Sequence, residues 1–281
     1  MKSILILMDI FNYRNHYLID ALAFRWKKHG YKVIKRYSTK NLPDADIAIL
    51  HIDATIVPEK YAQCLSKYPV VLNRNVLNIS KSFFSCNIVK PTDDYSGSVI
   101  IKTNSNCGGM PEASKIKYIW SKFTLQWNWE KVSTLNQKKY LVFDKKEYVP
   151  AGVWKNRNLV VEKFLPEREN GLYFLRYWLF LGNKGWTGRF GANDPIVKFS
   201  NKTTKNEILH VNNEAKDEIV HVPEELIMWR KKLGFDYGRF DYVVHNGKTI
   251  LFDVNKTMGG ARRVDTYASR FDFLASGISD F

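Results

Sequence analysis

Residues 236–255 read DYGRFDYVVHNGKTILFDVN, two alternating arms around one turn. Phe240, Tyr242 and Val244, and again Ile250, Phe252 and Val254, recur at every second position, so each arm is expected to be a half-buried strand showing these side chains to one face. His245-Asn246-Gly247-Lys248 joins the arms as a turn. Arg239, Asp241, Asp253 and Asn255 then fall in the opposite register. A half-buried face that gathers two carboxylates, an amide oxygen and a guanidinium calls for a cation or an anion to satisfy them. The stretch therefore predicts a ligand site.

Outside the hairpin, the bulk numbers set the scale. A chain of 281 residues with 45% hydrophobic content can bury a substantial core and is near the size at which one core splits into lobes. No run approaches the roughly 18 apolar residues of a membrane span. The opening MKSILILMDI is too short and too soon acidic at Asp9 for a signal peptide, so the expected location is the cytoplasm. Cys64, Cys86 and Cys107 are odd in number and lack C-x-x-C spacing, against both a disulfide framework and a zinc site. The net charge of +15 would attract polyanions, nucleotides among them, but Lys and Arg are spread along the chain without a dense block. With no DNA- or RNA-binding signature beside it, that charge reads as a solvated lysine-rich surface.

Upstream, SILILM (3–8), YKVIKRY, DADIAILHID and YPVVLNR read as strands, with helical segments at HYLIDALAFRWKKHG, where Leu18, Leu22 and Phe24 recur, and at VPEKYAQCLSK. Alternation of strand and helix makes residues 1–77 a small parallel, Rossmann-like α/β domain. The loop after its first strand is where such domains place ligand groups, which singles out Asn12, Arg14 and His16. Next, VIIKT carries Lys102 near its end, and NSNCGG follows as a polar loop with Gly108 and Gly109. A lysine at a strand mouth beside a glycine-rich loop suits phosphate oxygens, because ammonium and loop amides converge on one anion. Trp120, Trp127 and Trp129 read as packing rather than as a nucleic-acid surface. LVVEKFL and LYFLRYWLF are two further strands, and VPEELIMWRKKLGF is a helix from Pro223 to its stop at Gly234, with Leu226, Trp229 and Leu233 on one side.

Taken in order, VIIK with a glycine-rich loop, VEKFL followed by Glu169, and R-x-D with D-x-N across a hairpin resemble the ATP-grasp superfamily. The resemblance is similar in kind to D-alanine ligase, glutathione synthetase and the RimK-type ligases, and runs from about Asn78 to Gly260. It implies an α/β chain of α+β lobes, with the N-terminal domain followed by an ATP-grasp domain over 78–281. Within that domain, 78–160 would form the nucleotide-lid subdomain and 161–281 the metal-binding, catalytic one.

By the same resemblance, Lys102 contacts nucleotide phosphates, Gly108 and Gly109 form the loop over them, and Lys81 is the candidate for a second phosphate lysine. Glu162 resembles the acceptor of the adenine amino group, Lys163 and the Leu165 backbone line the base, and Glu169 takes the ribose position. Asp241, Asp253 and Asn255 resemble the ligands of Mg2+, with Mn2+ as an alternative, and Arg239 would stabilise charge on the transferring group. Arg176, Arg189, Arg262 and Arg263 are candidate substrate contacts, because guanidinium forks suit carboxylates or phosphates. Two departures from the family stand out: Asp253 occupies a position where many members carry Glu, and Lys81 lies unusually close in sequence to Lys102.

The implied activity is ligation of a carboxylate to an amine, small molecule or peptide, through an acylphosphate made from ATP. A phosphotransferase on the same site, a nucleotide-binding protein without turnover, and a basic nucleic-acid binder are the other readings. The resemblance calls for no membrane and leaves assembly as a homodimer open.

Overall fold

The computed structural model describes residues 1–9, 17–113, 128–136, 140–197, 203–211, 222–259 and 268–281. Its N-terminal part carries β1 (Ser3–Met8), α1 (Leu18–Lys28), β2 (Lys32–Arg36), β3 (Ile47–His51), α2 (Glu59–Cys64) and β4 (Val70–Leu72). The four strands form one parallel sheet in the order β2-β1-β3-β4. Both central strands are buried on both faces, which is why SILILM and IAILH read as unbroken apolar runs. Side-chain alternation divides them between two cores. Ile4, Ile6, Ile47 and Ile49 pack with α1, whereas Leu5, Leu7, Ala48 and Leu50 pack toward Tyr61 and Leu65.

On α1 the buried stripe runs through Ile19, Leu22 and Trp26, the last donating from Nε1 to the Ala275 carbonyl at 2.8 Å. Phe24, expected on that stripe, is instead 57% exposed. It stands two positions from Leu22, about 200° around a helix, so it cannot share the Leu22 face.

A second, antiparallel sheet has the order β6-β5-β7, from β5 (Val99–Thr103), β6 (Leu141–Phe143) and β7 (Leu159–Lys163). The short helices α3 (Lys81–Phe84), α4 (Met110–Ala113) and α5 (Ala151–Lys155) accompany it. Val99, Ile101, Leu159 and Val161 turn to its own core with Val149 and Val153. Val161 and Lys163 pair with Ile101 and Val99, so β7 belongs to this sheet through Lys163.

The largest sheet is antiparallel, ordered β11-β10-β9-β12-β13, with β8 also on β9. Its strands are β8 (Glu167–Glu169), β9 (Leu172–Leu181), β10 (Lys184–Ala192), β11 (Thr203–Val211), β12 (Tyr237–His245) and β13 (Lys248–Asn255). One face, with Trp178, Phe180 and Phe240, packs against α6 (Glu224–Leu233). The other, with Tyr177, Leu179 and Trp186, shares a core with β1, α1 and α7 (Ala268–Ser276). Full burial of a side chain such as Phe240 contributes about 1.5–3 kcal/mol. Gly234 closes α6 in the left-handed conformation at φ 71°, as its position predicts.

The hairpin forms as expected, with Asn246 and Gly247 at φ 50° and 74° in a two-residue turn between His245 and Lys248. Its facing differs in one arm. The register shifts between Asp241 and Tyr242, so that Asp241 pairs with Asp253 but Tyr242 pairs with Leu251. Phe252 is the extra residue of a β-bulge, and on its turn side the alternation of β13 is inverted. Ile250 and Phe252 therefore join Val243 and Leu175, while Leu251 takes the place beside Phe240 and Tyr242. Among the described residues, no helix is long and apolar enough to cross a membrane.

Candidate functional site

The cleft lies between the small sheet and the large one. Ile100 and Lys102 of β5 form one wall, and Leu175 of β9, Val243 of β12 and Phe252 of β13 form the other. Phe164 and Pro166 close it where the chain crosses between sheets, and Lys81, Asp241 and Asp253 line its polar end. The space, counting its open mouth, is about 700 Å³. A flat heteroaromatic ring suits the apolar walls, and anionic oxygens suit the lysine end.

The charges at that end are interlocked. Asp241 and Asp253 stand directly opposite each other on β12 and β13, an arrangement that repels when both are ionised. A cation holds each of them. Arg239 donates from Nε to Asp241 Oδ1 at 2.7 Å, and Lys81 Nζ lies 3.4 Å from Asp253 Oδ1. Lys81, on the one-turn helix α3, is only 5% exposed, and Asp241 1%. Lys102 places Nζ 2.6 Å from Glu162 Oε2 and 4.7 Å from the centre of the Phe252 ring. Glu162, buried at 1% exposure, also accepts from Ser85 Oγ at 2.6 Å. Its carboxylate is thus turned to Lys102 and Ser85.

Asn255 is tied to the glycine-rich loop, since Asn106 Nδ2 donates to Asn255 Oδ1 at 3.2 Å. Asn106 in turn donates its backbone N–H to Thr55 Oγ1 at 2.8 Å, fixing the loop to the segment between β3 and α2. Cys107, Gly108 and Gly109 follow with φ of 47°, 65° and 76°, a left-handed run that glycine tolerates. A Cβ on Gly109 would stand 2.5 Å from the Ser133 carbonyl oxygen, so only glycine fits there.

Lys163 lines the cleft, with Nζ 5.1 Å from the Tyr95 ring, and Leu165 lies between the lining residues Phe164 and Pro166. Glu169 is on β8, 2.5 Å from Arg189 Nη1, and Arg189 also donates to Glu207 at 2.6 Å. Arg176 is held by both oxygens of Glu167, which raises its pKa. Neither arginine lines the cleft. Asn12, Arg14, His16, Arg262 and Arg263 lie outside the described residues, as do Trp120 and Trp127.

Asp241, Asp253 and the Asn255 oxygen are hard donors of the kind that magnesium takes, so the residues fit that ion. Among the described residues there is no cluster of three or more His, Cys, Asp or Glu side chains. A cation here would depend on the Asn255 amide and on oxygens of the bound ligand. Sequence reading passed over the apolar walls and Asn106. The walls come from strands far apart in the chain, whereas Asn106 stood in view within the NSNCGG loop.

Neither the family models nor the curated proteins contain a match to this sequence. Solved structures do match. D-alanine–D-alanine ligase from Bacillus anthracis superposes with a TM-score of 0.51 at 12% identity, over 100% of this chain and 96% of that one. A RiPP-associated ATP-grasp ligase from Chryseobacterium gregarium, solved with ADP and a leader and core peptide, gives 0.52 at 11% identity, over 100% and 97%. D-cycloserine synthetase DcsG gives 0.52 at 10% identity, over 99% and 100%. The chain has the ATP-grasp fold.

Proposed function

We propose that this protein is an ATP- and magnesium-dependent ligase that joins a carboxylate to an amine. The observation that carries the reading is the convergence of Lys81, Lys102, Asp241 and Asp253 on one cleft whose remaining walls are apolar. That combination suits a nucleoside triphosphate, with the base among Ile100, Phe164, Leu175 and Phe252 and the phosphates toward the lysines. The D-alanine–D-alanine ligase of Bacillus anthracis has also been solved with ATP, and this reading carries such occupancy over to the present cleft.

In this mechanism Lys102 and Lys81 hold phosphate oxygens, and the Gly108–Gly109 backbone covers them. Lys163 and the Leu165 backbone border the base, Glu162 faces its amino group or sets the position of Lys102, and Glu169 accepts from the ribose. Bound at Asp241, Asp253 and Asn255, magnesium would neutralise charge on the β- and γ-phosphates. A substrate carboxylate oxygen attacks the γ-phosphorus and ADP leaves. The amine nitrogen then attacks the acyl carbon of the acylphosphate, phosphate leaves, and the nitrogen loses a proton to give the amide. Arg239, at the end of the cleft, stabilises the oxyanion formed in between.

The test is ADP release by the full chain with Mg-ATP and pooled carboxylates and amines, alone and together. Release that needs both pools, and that disappears in Asp253→Ala, is the expected result. Release with a carboxylate pool alone, unchanged by amines and yielding a stable phosphorylated product, would assign a phosphotransferase instead.

A further inference from the structure

The parallel sheet of the N-terminal part ends on β4, and the outer edge of that strand is bare. β4 lies last in the order β2-β1-β3-β4 and pairs with β3 alone, and among the described residues the backbone of Val70 and Val71 has no partner beyond that ladder. A groove of about 1180 Å³, including its open side, runs along this edge. Val70 and Val71 both line it, although Val70 packs toward the core that holds α1 and Val71 toward the core of Tyr61 and Leu65. Neighbours that face opposite sides of a sheet can border one groove only across the strand's edge. The far wall is α6 and the turn after it, with Ile227, which is 50% exposed, Lys231, Gly234 and Phe235. No residue of this lining also lines the nucleotide cleft.

An open strand edge in a groove takes an extended peptide, because a chain laid along it meets the free N–H and C=O groups as one more strand. Asn75, exposed in the same lining, adds a side-chain amide able to bond a peptide backbone. Charge then narrows the choice. Arg74, Arg230 and Lys231 line the groove with one acid, Asp236, which Arg230 offsets. Arg74 donates from Nη2 to the Tyr68 carbonyl at 3.0 Å and Arg230 from Nη2 to the Gly182 carbonyl at 2.7 Å, so neither calls for an anion of its own. Their charge, with that of exposed Lys231, selects among peptides that the edge can already take. A second copy of this chain brings +15 to the same edge, and Pro69 at the start of β4 shortens the run that two copies could pair. A nucleic acid carries the charge but has no peptide backbone for the edge to read.

We infer that the β4 edge is a docking site for an extended acidic segment of a partner protein, bound as an added strand. Its acidic residues stand beside apolar ones, to match Arg74 and Lys231 beside Val70, Val71 and Ile227. The inference does not depend on the ligase reading.

Fluorescence anisotropy on the full chain tests the site with a labelled octapeptide of alternating Glu and Val. Three further probes accompany it: the same peptide N-methylated at two consecutive central residues, its Lys-Val counterpart, and single-stranded oligo-dT. The Glu-Val peptide is expected to bind, and N-methylation, which removes backbone donors from both of its edges, to weaken it about tenfold. Arg74→Glu combined with Lys231→Glu, at two exposed positions, should also weaken the parent peptide about tenfold and favour the Lys-Val peptide, with the affinity for Mg-ATP unchanged. Equal binding of the methylated and parent peptides would mean that charge alone holds them, and strand addition would fall. No binding of the Glu-Val peptide, binding that survives the double variant, or preference of the unaltered chain for oligo-dT or the Lys-Val peptide would overturn the inference too. If sedimentation shows the chain to self-associate and the double variant changes that association, the edge belongs to a second copy and the inference is wrong. Absence of ADP release with every substrate pool would remove the ligase reading and leave these results standing.

Discussion

The cleft and a second cavity, lined by Tyr177, Trp186, Phe190, Arg239, Arg270 and Phe271, share one face of the large sheet but differ in what lines them. In the cleft, lysines and carboxylates are balanced against each other: Lys81 with Asp253, Lys102 with Glu162. In the second cavity Arg239, itself tied to Asp241, and Arg270 stand among aromatic rings. A site whose charges are already paired suits a ligand that brings charges of both signs, as a magnesium nucleotide does. The lesson is that aromatic and basic composition alone does not distinguish the two; the acids that line the cleft do.

The comparison breaks most visibly at the carboxylates. Asp253→Ala removes a hard oxygen donor and strands Lys81, and ADP release is expected to fall by about a hundredfold to a thousandfold, on the scale of losing one electrostatic contact to a transition state. Asp253→Asn should lie close to the alanine variant; near-normal turnover in either would take Asp253 out of the site. Next in size is Lys102→Met. It leaves Glu162 ionised and buried without its cation, a loss of about 3 kcal/mol or more in denaturant unfolding, with weaker ATP binding alongside. Adding Glu162→Gln should recover much of the stability but not the ATP affinity. Recovery of both would mean that Lys102 serves the fold alone.

A smaller effect separates the packed interior from both cavities. His51, on β3, packs edge to face on Tyr17 at 5.0 Å, and burial pushes its pKa down to about 3. In the unfolded chain it titrates near 6.5, so between these values the unfolded state binds the extra proton. Its contribution is intact above pH 6.5 and is lost as pH falls toward 3, at up to about 1.4 kcal/mol per pH unit. His51→Phe should flatten the acid limb of the stability curve while leaving the Mg-ATP affinity at neutral pH alone. An unchanged acid limb would show that His51 is solvated in the folded chain. The smallest expected change is Gly247→Ala, about 1 kcal/mol, because the turn holds that residue at φ 74°.

Much of this was legible from residues that act locally. The apolar runs of β1 and β3, the Asn-Gly turn and the Gly234 stop each encode their element within a few positions. The convergence of Lys102 with the hairpin acids came from the order of motifs, and the structure brings Lys81, 21 positions upstream of Lys102, into the same cleft. The bulge at Phe252 was not legible, because strict alternation in the sequence hides an extra residue in one strand. Nor was the second cavity. Its lining is drawn from α1, four strands, the segment after β13 and α7, and Arg270 has no local signal that separates it from any surface arginine.

The Arg239–Asp241 ion pair has a thermodynamic consequence. A ligand in the cleft that draws Asp241 toward itself loosens Asp241 from Arg239 Nε and leaves that nitrogen available to an anion on the other side. Anything bound against Arg239 would then be coupled to the cleft, and linkage requires the factor to be the same in both directions. That coupling would pass through a single 2.7 Å hydrogen bond.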